Sequence, residues 1–289
     1  MMKKILKKLL GYSGFKLKKN ANSNDTNLYV KLYGSESVRY RRFYNISAGA
    51  YKDFGGGIHH PCWTNVDFDK PWKNDKLFPG GVEYNPECDI AHDLLSMKPI
   101  PLETSSAELV HSRFTVDHLT DEASQYFFNE VYRILKNGGI FRLVSTNLDL
   151  DFRAYLNNDK NYFFWFGEDI SIEQAFLFHM VTQVSTYFDD STTEKIIDEE
   201  FKRLLKTMNY EDALNYCTSK CSVEIHKRNR YDHFNWWNKK KYEKMLTHAG
   251  FKSIYLSVRE QSASPVMRNE IYFDNEDNKF VMYMEAVKI

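Results

Sequence analysis

The sequence predicts an α/β protein: a mostly parallel sheet flanked by helices, interrupted by a helical insertion and closed by a C-terminal antiparallel hairpin. Three observations carry this expectation. Short apolar runs at 41–47, 64–69, 88–94, 107–114 and 139–147 alternate with amphipathic stretches, the rhythm of βαβ units. Between residues 151 and 231 that rhythm stops, and the chain becomes aromatic-rich and then helical. It returns at 251–258 and 279–289, two strand-like runs joined by a loop containing Pro265, which suit a closing hairpin.

The elements follow in chain order. Residues 1–27 are a basic amphipathic segment and a polar linker: Lys3, Lys4, Lys7, Lys8, Lys16, Lys18 and Lys19 surround Ile5, Leu6, Leu9 and Leu10 at helical spacing. Such a segment either packs on its own domain or lies on an anionic membrane surface or a partner. Residues 28–150 form the first sheet half, whose near-continuous apolar runs read as strands buried on both faces. Its best-marked helix starts after Thr120, an N-cap, with Asp121 and Glu122 in the first turn where the helix dipole favours acid. Ala123, Phe127, Val131, Ile134 and Leu135 form its apolar stripe, and Asn137, Gly138 and Gly139 end it. The insertion, 151–231, carries two pairs in capping-box spacing, Ser171 with Gln174 and Ser191 with Glu194. Residues 232–289 complete the sheet, with a helix stopping at Gly250 before the last two strands.

Composition narrows the function classes. With 289 residues, 43% of them hydrophobic, the chain can bury a full core. Lys+Arg and Asp+Glu both number 39, so no net positive field favours nucleic acid as a partner. Cys62, Cys88, Cys217 and Cys221 lack zinc spacing and read as reduced thiols of a cytoplasmic protein, with no metal site. Neither a spanning helix nor a signal-peptide core is visible, so the expectation is a cytoplasmic chain, peripheral at most at the inner face of the membrane.

The first strand ends in a small-residue turn, Ser47-Ala48-Gly49-Ala50, and the second ends at Asp67, close to the roughly 20-residue offset of a ribose-binding acid. The glycines are not those of a dinucleotide loop, because Gly55, Gly56 and Gly57 come too late and precede His59, His60 and Pro61. A cofactor with an adenosine but no phosphate suits this loop better than a pyrophosphate.

Three further stretches decide the reading. D-I-A-H-D-L-L at 89–95, E-L-V-H-S-R-F-T-V-D-H-L at 108–119 and V-Y-R-I-L-K-N-G-G-I-F-R-L-V at 131–144 resemble, in order and spacing, the motifs of class I S-adenosylmethionine (SAM)-dependent methyltransferases. The resemblance covers about 40–150 and 233–289. Within the family it is nearest to small methyltransferases associated with surface-polysaccharide synthesis, through S-A-S-P-V-M-R at 262–268 and Phe273-Asp274. It implies a seven-stranded Rossmann-like sheet and SAM as cofactor. It also implies roles: Asn45, Ser47, Ala48 and Gly49 near the methionine moiety, Asp67 on the ribose, Asp93 and Leu94 at the adenine, and Ser112, Arg113 and Phe114 on the sulfonium side. The chain departs from the family at Ser47 (glycine), Asp117 (glutamate) and Asn137 (proline), and Phe114 stands where a metal-binding relative has a ligating glutamate.

The activity implied is methyl transfer, at oxygen, to a sugar or other small polar acceptor in surface glycan synthesis; the alternative is an inactive methyltransferase fold serving as an interaction module. A hydroxyl acceptor calls for a base, and His233 and His118 are the candidates. Trp165 and Trp236 are candidates for an aromatic acceptor platform and Arg268 for an anionic part of the acceptor.

Overall fold

Seven extended stretches hydrogen-bond into one sheet: β1 (Phe43–Ile46), β2 (Trp63–Asp67), β3 (Ile90–Ala91), β4 (Ala107–Arg113), β5 (Leu135–Thr146), β6 (Ser253–Ser257) and β7 (Val281–Val287). The structure, a computed structural model, describes residues 24–47, 58, 60–68, 89–167, 169–229, 232–274 and 280–289. The strand order is β3-β2-β1-β4-β5-β7-β6. β1 to β5 run parallel, and β7 is antiparallel to both β5 and β6. This is the mostly parallel Rossmann-like sheet with the antiparallel C-terminal pair that the sequence predicts.

Side-chain alternation along the central strands sends apolar residues to both faces. Tyr44, Ile46, Val110, Phe141 and Leu143 meet helix α2 (Asp121–Ile134) through Phe127, Phe128 and Val131, and a later helix, Lys239–Ala249, through Leu246. On the other face Phe43, Trp63 and Leu109 meet Tyr29 of helix α1 (Asn24–Arg39), with Val266 and Met267. A buried polar row crosses this second face: Asn45 pairs in register with Asn65 and with His111, and its amide joins the two side chains at 3.0 Å each.

Three local expectations change. The linker at 20–27 already contains the first turn of α1, a helix interrupted at Gly34 (φ 82°) and anchored because the buried Tyr29 hydroxyl accepts from Trp63 Nε1 at 2.7 Å. Helix α2 begins as expected, Thr120 Oγ1 accepting from Ala123 N, but ends at Ile134, before the glycines. Its last carbonyls are taken instead by the Ser105 and Ser106 amides and by Lys288 Nζ, while Leu135 already pairs with Ala107 of β4. The Asn137-Gly138-Gly139 stretch is therefore an irregularity inside β5, with Gly138 at φ 81°.

Residues 148–228 fold into α3 (Leu148–Leu156), α4 (Ile172–Met180), α5 (Asp198–Thr207), α6 (Tyr210–Thr218) and α7 (Val223–Arg228); α8 is Lys239–Ala249. They enclose a second apolar cluster that includes Leu148, Phe163, Phe176, Phe201, Leu214 and Trp236. Ser171 caps α4 as predicted, accepting from Gln174 N. The second expected cap fails: α5 starts at Asp198, because Ile196 is buried and its backbone is tied to Val184 and to the Gln174 side chain, and Glu194 pairs with Lys220 instead. Among the described residues no helix is long and apolar enough to cross a membrane. The basic stretch 1–23 lies outside the described residues.

Candidate active site

The sheet order reverses at β1, which has β2 on one side and β4 on the other. In open α/β sheets the crevice beyond the carboxyl ends at such a switch point is where ligands bind. Four segments end there. Ser47 follows β1 with φ 58°, its amide donating to Val66 O at 2.8 Å. A left-handed backbone costs a non-glycine residue about 1–2 kcal/mol, which accounts physically for a glycine at this position in the resembled family. Asp67 closes β2, half-buried, with Oδ1 accepting from Phe68 N at 2.7 Å. Asp93 caps a short 3-10 turn, Leu94–Ser96, by accepting from Leu95 N at 3.0 Å. Arg113 ends β4, and Phe114 turns out of it at φ 47°.

The fate of the sequence candidates is uneven. Ser47, Asp67, Arg113 and Phe114 stand at strand ends on one edge, and Asp93 and Leu94 follow β3. Ala48 and Gly49 lie outside the described residues. Asn45 is buried and its side chain is spent on Asn65 and His111 inside the sheet. Ser112 is fully buried and donates to Thr115 Oγ1 at 2.7 Å. Both shape the edge from within.

Beyond β4 and β5 the structure gathers four imidazoles. His118 follows β4; His179 ends α4; His226 is in α7; His233 lies on the stretch returning from the insertion. The ring of His118 lies 5.5 Å from that of His226 and 5.0 Å from that of His233, and His233 is 5.9 Å from His179. Their Nδ1 atoms are held in two ways. Those of His118 and His233 donate to the carbonyls of Asp232 (2.9 Å) and His179 (2.6 Å), which leaves Nε2 as the lone-pair nitrogen of each neutral ring. The Nδ1 atoms of His179 and His226 instead meet carboxylates, those of Asp151 and Asp232. The other oxygen of Asp151 accepts from Tyr162 OH at 2.6 Å, and that of Asp232 from Gln183 Nε2 at 2.5 Å.

Under the cluster lies Asp117, fully buried, accepting from Thr146 Oγ1 at 2.6 Å. Burial raises its pKa, and the neighbouring His233 and the Thr146 hydroxyl only partly offset this. The Asp117 carbonyl accepts from the Phe234 and Asn235 amides, and Thr182 exchanges hydrogen bonds with the His233 backbone. Residues 232–235 thus stitch the insertion to the sheet, and the histidines sit on that seam.

Of the acceptor candidates, Trp165 belongs here. Its ring, 37% exposed, lies 4.7 Å from His179 and 5.0 Å from Phe280, and Phe280 in turn touches Phe114 at the end of β4. Trp236 does not: it is buried in the second apolar cluster with Nε1 donating to Asn215. Arg268 is elsewhere, on the α1 side of the sheet, its Nε donating to Ser262 O and its neighbours Val266 and Met267 packed near Tyr29. Asp151, His179, His226 and Asp232 were missed because nothing local marks them. His179 and Asp151 are 28 positions apart and meet only once α3 and α4 pack.

Residues 81–143 match the family model of a methyltransferase domain. The matched stretch contains Asp93, Leu94, Ser112 to Phe114 and His118, and stops short of the insertion. No curated protein matches the chain. Among solved structures the chain is similar to PigF with SAH (13% identity, TM-score 0.36, 86% of this chain against 50% of that one). It is also similar to human N-acetylserotonin methyltransferase in complex with SAM (11%, 0.39, 91% against 53%) and to Haemonchus contortus phosphoethanolamine N-methyltransferase 2 in complex with S-adenosyl-L-methionine (13%, 0.37, 95% against 60%). The chain spans about half the length of the first two.

Proposed function

We propose that the protein is a SAM-dependent methyltransferase acting on a hydroxyl of a sugar or other small polar acceptor, in surface glycan synthesis. The observation that carries the reading is the convergence, at the switch-point edge, of a left-handed turn at Ser47, a carboxylate at the end of β2 and a capped turn after β3, next to a histidine-lined seam. These residues fit a nucleoside. A strand-end carboxylate such as Asp67 accepts from a pair of ribose hydroxyls, and the edge is compatible with a ligand lacking phosphate. When bound, SAM supplies an electrophilic methyl group.

What the chain adds is placement and proton transfer. Holding two reactants in line can supply several kcal/mol of the barrier, about 7–11 kcal/mol in well-oriented cases. The seam lies beside Phe114, so an acceptor resting on Trp165 and Phe280 stands next to the proposed cofactor edge. One of the clustered imidazoles receives the hydroxyl proton; His233 and His118, the candidates from sequence, both keep a lone pair at Nε2. Contact of the basic N-terminal segment with an anionic membrane surface would bring such an enzyme to lipid-linked acceptors.

Calorimetric titration with S-adenosylhomocysteine (SAH) tests the cofactor reading. Binding is expected, weakened about 10- to 100-fold in Asp67→Ala, the loss of one or two charge-assisted hydrogen bonds. No binding to the wild-type chain would put the inactive interaction module in its place.

A further inference from the structure

Four imidazoles share the seam, but they are not equivalent. We propose that His179, backed by the buried Asp151, is the catalytic base, and that Asp151 and Tyr162 position it. This rests on the methyl-transfer reading above. His118 and His233 have Nδ1 on backbone carbonyls, which fix the tautomer, and His233 also neighbours the buried Asp117 without a carboxylate on its Nδ1. His179 and His226 have a carboxylate there, which fixes the same tautomer and stabilises the imidazolium formed when Nε2 takes a proton.

Position separates the two carboxylate-backed rings. His226 is 3% exposed and packs against His118 and Phe234, behind the first row. His179 lies against the half-open Trp165 and against Phe280, and Phe280 reaches Phe114 at the edge of β4. Its ring, 8% exposed, therefore stands in the row of aromatic contacts that runs from the half-open Trp165 through Phe280 to Phe114. Asp151, fully buried, keeps its second oxygen on Tyr162 OH at 2.6 Å, so the carboxylate is held from both sides.

In the step, the acceptor O–H gives its proton to His179 Nε2 while its oxygen takes the methyl group. The S–CH3 electron pair stays on sulfur, leaving neutral SAH. The positive charge passes from the sulfonium to the imidazolium, which later releases its proton to water. The base thus comes from the insertion, whereas the cofactor edge belongs to the sheet.

Two measurements on the full chain test this. Side-chain 15N NMR of the SAH complex is expected to show His179 as the Nδ1–H tautomer, with a far-downfield Nδ1–H proton that disappears in Asp151→Asn; an Nε2–H tautomer would overturn the proposal. SAH formation from SAM is then followed with a pool of methyl glycosides and nucleotide sugars. His179→Ala is expected to lose about 100-fold or more in kcat, with SAH affinity unchanged and partial recovery on adding imidazole. Tyr162→Phe, a milder change, is expected to lose less than His179→Ala. Full activity in His179→Ala, with the loss appearing in His233→Ala, would overturn the assignment. A wild-type chain that fails to bind SAH would instead sink the cofactor reading, which separates the two failures.

Discussion

At the residue scale, His111 shows how a polar side chain in the sheet interior affects the whole stability curve. It is fully enclosed, its Nδ1–H donates to Asn45 Oδ1, and Nε2 is buried without a partner among the described residues. Burial, with the charges of Arg113 and Arg142, holds its pKa well below the usual histidine value. The folded chain therefore leaves His111 neutral where the unfolded chain protonates it. Stability is complete above about pH 6.5 and falls below it, by about 1.4 kcal/mol per pH unit for this one group. Urea denaturation at a series of pH values is expected to show that decline, and His111→Gln to reduce its slope. An unchanged slope would mean that His111 is not shielded. Ser47 teaches a different lesson: sequence marked it as a departure from glycine, and its φ of 58° gives the physical reason glycine is favoured there.

At the element scale, the irregular start of β5 is the most constrained joint. Sequence placed Asn137-Gly138-Gly139 at the end of a helix; the chain instead leaves the helix at Ile134 and uses the glycines to fold β5 back onto β7. Gly138 N donates to Lys288 O, and Lys288 N to Gly139 O. A Cβ on Gly139 would lie 2.8 Å from Lys136 O and 2.9 Å from Leu135 Cδ2, and the first of these is backbone that cannot give way cheaply. Gly139→Ala is expected to destabilise by about 1–3 kcal/mol, measured as a shift of the denaturation midpoint with an unchanged slope. Helix ends were legible where a side chain caps them, as at Thr120 and Ser171. They were not legible at Ser191, because the burial of Ile196 overrides a local pattern.

At the scale of the whole molecule, a buried ionic knot closes the back of the sheet. Arg142 of β5, fully buried, reaches Asp274 Oδ2 at 2.6 Å and Glu285 Oε1 at 2.8 Å, and donates to Ser257 Oγ and Val258 O. Tyr255 OH and the Ala263 amide complete Glu285, and the Glu260 amide donates to Asp274. The knot ties the loop after β6 to β5 and β7. Removing Arg142, the cation that both carboxylates share, leaves Asp274 and Glu285 together in the interior, so Arg142→Met is expected to cost about 3–5 kcal/mol in chemical denaturation. A loss under about 1 kcal/mol would show that water reaches the pair. The insertion, with its own apolar cluster, joins the sheet through 232–235 and the hydrogen bonds of Asp117 and Thr182, and through Asn238 and Lys240, which meet Tyr210 and Glu211.

The sequence by itself determined the strands, the mostly parallel character of the sheet, the closing antiparallel pair and the strand-end residues Ser47, Asp67 and Arg113. It could do so because periodicity, caps and turn residues are local, whereas the strand order that makes a switch point at β1 came from the fold. Only the tertiary structure decided which side chains face the edge and which are consumed inside. It turned Asn45 and Ser112 inward, buried Trp236 and sent Arg268 to the far face. It also brought His179 and Asp151 of the insertion beside His118 and His233. Those meetings depend on how two apolar clusters dock, and docking joins residues far apart in the chain through burial, which no spacing between neighbours records.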